Sequence, residues 1–273
     1  MSRRRIKLYR VRCWHAFAAA AALVLPFDQA VGQSALPPGF VYLRDVDPTI
    51  VQDIRYAGAD NFVGRPIPGY GAAECILRRD VAAALKRVQA DLAESRLGLK
   101  VYDCYRPERA VRAMASWAND GHIGNVGKRF FPRLHKSSLF ARGYIAAISA
   151  HSTGTAVDLT LIAMPSAPAA IFDVAASYAP CIGPAEKRSP DNSLDMGTGF
   201  DCFDVNSHTA SAALSTEQRR WRALLVVAMT KRGFKNYHRE WWHFAYANRG
   251  AAPHYDFPIS PRAAKMPPGN ARP

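Results

Sequence analysis

Two short segments of this 273-residue chain make chemical sense together only if the fold brings them to one point. The first reads Ser149-Ala-His151-Ser-Thr-Gly154-Thr-Ala-Val-Asp158, and the second, Glu240-Trp-Trp-His243, begins 82 residues further on. Between them they offer two imidazoles, one carboxylate ligand and one spare carboxylate. A catalytic zinc site needs three protein ligands, an open position for water and a base to deprotonate that water. His151, Asp158 and His243 fit as ligands, and Glu240 fits as the general base.

Local geometry sets conditions on that reading. His151 and Asp158 can converge only if the chain turns between them, and Gly154 supplies a flexible point. Residues 155–163 are β-branched and alternating, so Asp158 is expected on an apolar strand, where a buried acid needs a cation or a hydrogen-bond partner. A structural ion pair would also satisfy it. Glu240 and His243 would share a face on a helix but point to opposite faces of a regular strand. Trp241, Trp242 and Phe244 favour a strand, so a bend at Glu240 is required; the plain alternative is a core strand carrying a hydrogen-bonded histidine.

Arg106 lies in Asp103-Cys-Tyr-Arg-Pro107, at an expected strand-to-helix junction. From there it could stabilise an oxyanion, or simply pair with Asp103 and tie the turn. Asp195-Met-Gly-Thr-Gly-Phe-Asp201 is turn-rich. Its two aspartates are candidates for holding a substrate cation, with turn chemistry as the alternative. His122, His135, His208, His238 and His254 sit in polar or loop-like surroundings and are not expected as ligands; His238, nearest to Glu240, is the one considered as an outer hydrogen-bond partner.

The first 32 residues are read apart from the fold. A basic start (Arg3, Arg4, Arg5, Lys7, Arg10, Arg12) precedes an apolar stretch at 16–27 and small residues at Ala30 and Gly32. This is the layout of an export signal. The chain is therefore expected to be exported to the periplasm, with the twin-arginine route open because Ser2-Arg-Arg-Arg-Ile-Lys7 partly matches its motif. A retained anchor helix is disfavoured, because Pro26 and Asp28 cut the apolar run below the ~20 residues a span needs. Without this segment the formal charge falls from +14 to +9, spread from Arg44 to Arg272. No basic cluster or reading motif supports nucleic-acid binding, and no stable membrane insertion is expected after signal removal.

Cys13 lies in the export signal, which leaves Cys75, Cys104, Cys181 and Cys202. Four cysteines in an oxidising compartment allow three pairings. Cys181–Cys202 closes a local loop and Cys75–Cys104 bridges neighbouring elements, so that pairing is favoured. No CxxC spacing supports a structural zinc on these thiols.

A strand is expected at 40–44, and a helix at 80–95 with Val81, Ala84, Leu85, Val88 and Leu92 on one face and Gly98 as its stop. A buried strand follows at 99–103, then a helix opened by Pro107. Residues 164–192, rich in Ala, Pro and Ser, read as a surface insertion. Ser215-Thr-Glu-Gln218 is a capping box for a helix ending at Gly233, and strands close the pattern at 234–237 and 241–246. Helices and strands mix without βαβ alternation, so a single α+β domain with a largely antiparallel sheet flanked by helices is expected.

Taken together, these residues resemble the D-alanyl-D-alanine dipeptidases of the VanX type, within the D-Ala-D-Ala metallopeptidases related to lysostaphin and Hedgehog domains. The matching motifs occur in the family's order: Arg55-Tyr56-Ala with Asn61-Phe62-x-Gly64, Asp103-x-Tyr-Arg-Pro107, Ser149-x-His151 through Asp158-Leu-Thr-Leu161, Met196-Gly-x-x-Phe-Asp201, Glu240-Trp-Trp-His243 and Tyr255-Asp-Phe-Pro258. The resemblance implies a Hedgehog/D-Ala-D-Ala peptidase-like domain at 40–260, after a loose segment at 33–39 and before a flexible tail at 261–273. It implies one Zn²⁺ held by His151, Asp158 and His243, Glu240 as catalytic base, and Arg106 at the scissile carbonyl. It further implies that Asp201 takes the ammonium group of a small dipeptide, with Ser149 and Tyr56 nearby. The chain departs from the family in the length of 164–192 and in Cys104 before Tyr105. A D,D-carboxypeptidase on the same zinc site, and a zinc-bearing cell-wall peptide-binding module without turnover, are the alternatives. Oligomeric state is left open.

Overall fold

The computed structural model describes residues 35–122, 126–247 and 252–262. The expected export signal and most of the expected tail lie outside these residues. In chain order the elements are β1 (Phe40–Tyr42), α1 (Leu43–Val46), β2 (Val51–Gln52), β3 (Ile76–Arg78), α2 (Arg79–Ala93), β4 (Leu97–Asp103), α3 (Glu108–Ala118), α4 (Val126–Phe130), β5 (Ala156–Ala163), α5 (Thr216–Lys231), β6 (Phe234–Asn236) and β7 (His243–Tyr246). The main sheet runs β2-β4-β5-β7-β6, parallel only between β2 and β4, and β1 pairs with β3 in a separate two-stranded sheet. This is the mixed α+β, largely antiparallel architecture that the sequence pattern indicates.

The helical periodicity of α2 buries Val81, Ala84, Leu85, Val88 and Leu92 and leaves Lys86 and Arg87 exposed. Each fully buried Val or Leu contributes about 1.5–3 kcal/mol, which outweighs the modest helix propensity of its valines. α2 packs on β4 and on α5, and α5 packs on β6. α5 opens with the full capping box: the Gln218 amide donates to Ser215 Oγ at 3.2 Å, and the Ser215 amide donates to Gln218 Oε1 at 2.9 Å. It ends before Gly233, whose φ of +90° reverses the chain.

Three expectations are corrected. Gly98 does not stop α2; the helix ends at Ala93, Arg96 takes the left-handed turn at φ +55°, and Gly98 lies inside β4. What Gly98 supplies is space, since a Cβ there would stand 2.9 Å from Met164 Sδ. The strand expected at 40–44 stops at Tyr42, because Leu43 turns inward, fully buried, to open α1. Trp241 and Trp242 form a turn rather than the start of β7.

The register of the central strands matters most for function. Asp103 on β4 stands opposite Asp158 on β5, which stands opposite His243 on β7. Directly paired residues share one face of a sheet, so the three form a row. A bulge makes this possible. Val101 pairs with Leu159, and regular pairing would set Tyr102 against Asp158; the extra residue advances Asp103 into that place.

Residues 164–192 hold one short 3-10 turn at Ala185–Lys187 and are largely exposed. They are nevertheless tied to the body. Cys181 bonds to Cys202, the Arg129 guanidinium lies 5.1 Å from the Phe172 ring and 5.4 Å from Tyr178, and Ser189 Oγ donates to Asp60 at 2.7 Å. Cys75–Cys104 is the second disulfide, so the favoured pairing is the one the fold brings together.

Candidate active site

The strand row delivers Asp158 and His243, and a 3-10 turn at Ala150–Thr153 delivers His151. Ser149 caps that turn by accepting the His151 amide at 3.3 Å. Gly154 ends it at φ +74°, and a Cβ there would stand 2.3 Å from the Phe40 ring, so the reversal between His151 and Asp158 demands glycine twice over. His151 Nε2 lies 3.1 Å from His243 Nδ1 and 3.3 Å from Asp158 Oδ1, and His243 Nδ1 lies 3.0 Å from Asp158 Oδ1. Four-coordinate bonds of about 2.05 Å place neighbouring donors about 3.3 Å apart, so this triangle fits a divalent metal.

Protonation supports the fit. His151 Nδ1 faces the Cys104 carbonyl at 2.7 Å, so it must donate, and the neutral ring turns a lone pair at Nε2 toward the other two donors. Burial opposes ionisation of Asp158, but positive charge beside it, on the two imidazoles when they are protonated, outweighs burial and holds the carboxyl below the usual carboxylate range; a metal held by the neutral rings would supply that charge instead. His151, Asp158 and His243 are the one cluster of metal-ligating side chains among the described residues.

The bend required at Glu240 is present. The Glu240 amide donates to Tyr237 O at 3.0 Å, and the His243 amide donates to Glu240 O at 3.2 Å. This tight turn puts both side chains on one side, with Glu240 Oε2 4.0 Å from His243 Nδ1. The Asn236 side-chain amide braces the turn from β6, donating to Glu240 O at 3.1 Å and to His243 O at 3.0 Å. Trp241 is drawn to the core, where its ring nitrogen donates to Thr198 Oγ1 at 2.9 Å. Burial, then the Asp158 charge, push the Glu240 carboxyl up to about 8, against Arg106 and His151.

Arg106 makes the turn-tying pair and also lines the site's cavity. Its Nε donates to Asp103 Oδ2 at 2.9 Å, tying the turn after β4. Its Nη2 also lies 3.6 Å from Asp158 Oδ2, and its guanidinium stacks 4.9 Å from the Tyr56 ring centre. Asp103 is a hub that spacing did not reveal: fully buried, it accepts Tyr70 OH at 2.6 Å and lies 3.4 Å from His151 Nδ1.

Asp201 stands apart from the metal triangle. It is buried, adopts φ +55° and accepts Tyr56 OH at 2.8 Å. Burial first, then the charges of Asp158 and Glu240, raise its carboxyl well above the usual range. Asp195 takes the plain turn role instead, accepting the Gly197 amide at 2.9 Å and pairing with Arg188. Tyr56, Arg106, Ser149, His151, Asp158, Asp201, Glu240 and His243 all line one cavity of about 250 Å³, with Phe62, Val111, Met114, Ile148 and Phe203 forming apolar wall. None of the five bland histidines lines it, and His238 with His208 borders a separate surface hollow. The arrangement gathers in one cavity three side chains that could hold a metal, the half-buried carboxyl of Glu240, the Arg106 guanidinium and the separate carboxyl of Asp201.

The family model described as D-ala-D-ala dipeptidase, Peptidase_M15, matches residues 37–166 and 185–260. A D-alanyl-D-alanine dipeptidase of Enterococcus faecium is 28% identical over 222 residues, 81% of this chain and 98% of the relative. One from Streptomyces coelicolor is 32% identical over 225 residues, 81% of this chain and 98% of the relative. One from Escherichia coli K12 is 29% identical over 216 residues, 78% of this chain and 87% of the relative. The chain belongs to this metallopeptidase family, as its sequence motifs imply.

Proposed function

We propose that this member of the family is an exported zinc dipeptidase that hydrolyses D-alanyl-D-alanine to two D-alanines. The observation that carries this reading is the buried carboxylate of Asp201 in the same small cavity as His151, Asp158, His243 and Glu240. A free dipeptide carries an ammonium group that this acid can pair with. An N-acylated peptide has no such charge and would leave Asp201 without a cationic partner, forfeiting that ion pair.

A zinc ion held by His151, Asp158 and His243 supplies Lewis acidity, lowering the pKa of water and polarising a carbonyl. Glu240 accepts the proton of the attacking water and returns it to the departing amine. Arg106 donates to the developing oxyanion while Asp103 fixes its guanidinium plane. Tyr56 orients Asp201 through its hydroxyl. Two disulfides that use Cys75, Cys104, Cys181 and Cys202 support an oxidising compartment, and so support export to the periplasm.

The test is a substrate comparison. Purified protein should release D-alanine from free D-Ala-D-Ala and lose that activity to a chelator. Equal or faster cleavage of the N-acetylated dipeptide would replace the dipeptidase reading with a D,D-carboxypeptidase.

A further inference from the structure

Asp201 lies in an irregular stretch, and its backbone φ of +55° is one that a non-glycine residue rarely holds. Such a conformation persists where the surroundings over-determine it. Much of that determination comes from one residue. Cys181 O accepts the Gly199 amide at 2.8 Å, two residues before Asp201, and Cys181 Sγ bonds to Cys202, the residue after it. Asp201 is thus gripped on both sides from a single point.

Cys181 is itself anchored. Its amide donates to Arg129 O at 2.7 Å, and the Arg129 side chain pairs with Asp60 and lies against the rings of Phe172 and Tyr178. Phe172, Tyr178 and Cys181 fall within 167–184, the stretch of this chain that the family model leaves unmatched. The grip on Asp201 is therefore supplied by a segment that the family model does not match. The metal ligands, Glu240 and Arg106 stand on other elements.

We infer that the Cys181–Cys202 bond is a specificity-determining tie, which positions Asp201 toward the cavity and so sets the preference for substrates with a free ammonium group. The inference rests on the dipeptidase reading for the role of Asp201. Cutting the tie frees the Asp201 backbone to leave its left-handed conformation, which swings the carboxylate off the ammonium position. Catalysis of substrate once bound is left largely intact.

The test compares wild-type protein with C181S/C202S, and with C181A/C202V, which keeps apolar volume should the serine pair fail to fold. Turnover is measured on free and N-acetylated D-Ala-D-Ala. Binding of the free dipeptide is measured by calorimetry in the E240Q background, with and without the tie. Loss of one ion pair's geometry should raise KM and Kd for the free dipeptide about tenfold and lower the free-over-acetylated preference by a similar factor, with kcat changed less than about threefold. Unchanged KM and Kd, or an equal loss on both substrates, would overturn the tie, because a purely structural role moves both substrates together. If wild-type protein binds the dipeptide without cleaving it, the dipeptidase reading falls while the calorimetric comparison still decides the tie.

Discussion

At the scale of single residues, Glu240 is where the geometry makes its firmest demand. It is half-buried, lies within 4.0 Å of His243 Nδ1 and is not one of the three converging metal donors. Glu240→Gln keeps the shape and removes the proton acceptor. The variant should bind zinc as wild type does, by metal analysis after dialysis, while kcat falls about 10²–10⁴-fold; retained turnover would remove Glu240 from the base role. The identity of this residue was legible in its spacing from His243, but its orientation was not. Trp241 and Trp242 read as strand, because aromatic residues favour strands. They form a turn because Trp241 finds Thr198 and Asn236 braces the carbonyls, partners that no local pattern announces. Asp103 was visible as a partner for Arg106, yet its place opposite Asp158 depends on a bulge that only strand pairing reveals.

At the scale of elements, sequence reading did best where a boundary is made by chemistry local to the chain. The Ser215–Gln218 capping box and the α2 face are such cases, since a cap or a helical stripe needs only neighbours within a few residues. Gly98 failed because its role is tertiary, leaving room for Met164. This distinction separates two substitutions. Ser215→Ala should lower stability by about 1 kcal/mol and leave kcat/KM unchanged, because α5 carries no residue of the cavity. Gly154→Ala asks for a side chain at φ +74° against the Phe40 ring. It should destabilise by about 2 kcal/mol or more, and it should also weaken metal binding, because Gly154 ends the turn that carries His151. Denaturant melts paired with metal titration check both; a Gly154→Ala protein with wild-type zinc affinity would show that the turn tolerates the shift.

At the scale of the whole molecule, the segment 164–192 is held to β4 by buried charge, and to the body by its disulfide. Lys100 and Tyr102 project from β4, and both hydrogen-bond to Asp191, the Tyr102 hydroxyl at 2.8 Å from its carboxylate. Composition alone marked this stretch as a surface insertion, since Ala, Pro and Ser say nothing of the partners that a lone Asp191 or Cys181 will meet. Burial opposes the Asp191 charge, but Lys100 and Arg55 outweigh it and bring its carboxyl down to about 2. Its pKa is depressed on folding, so the stabilisation is present above the unfolded value and is lost as pH falls through about 2. The shift corresponds to about 2 kcal/mol. Asp191→Asn should therefore be less stable than wild type by at least that amount above pH ~4, because it also leaves the buried Lys100 with only Asp53, 3.6 Å away, to offset its charge. The carboxylate share of the gap should narrow as both proteins are taken toward pH ~2, where Asp191 is protonated in wild type too. Urea midpoints measured across that range read the difference directly. A gap that stays constant with pH would mean that Asp191 holds the segment by its hydrogen bonds alone and that its charge contributes nothing.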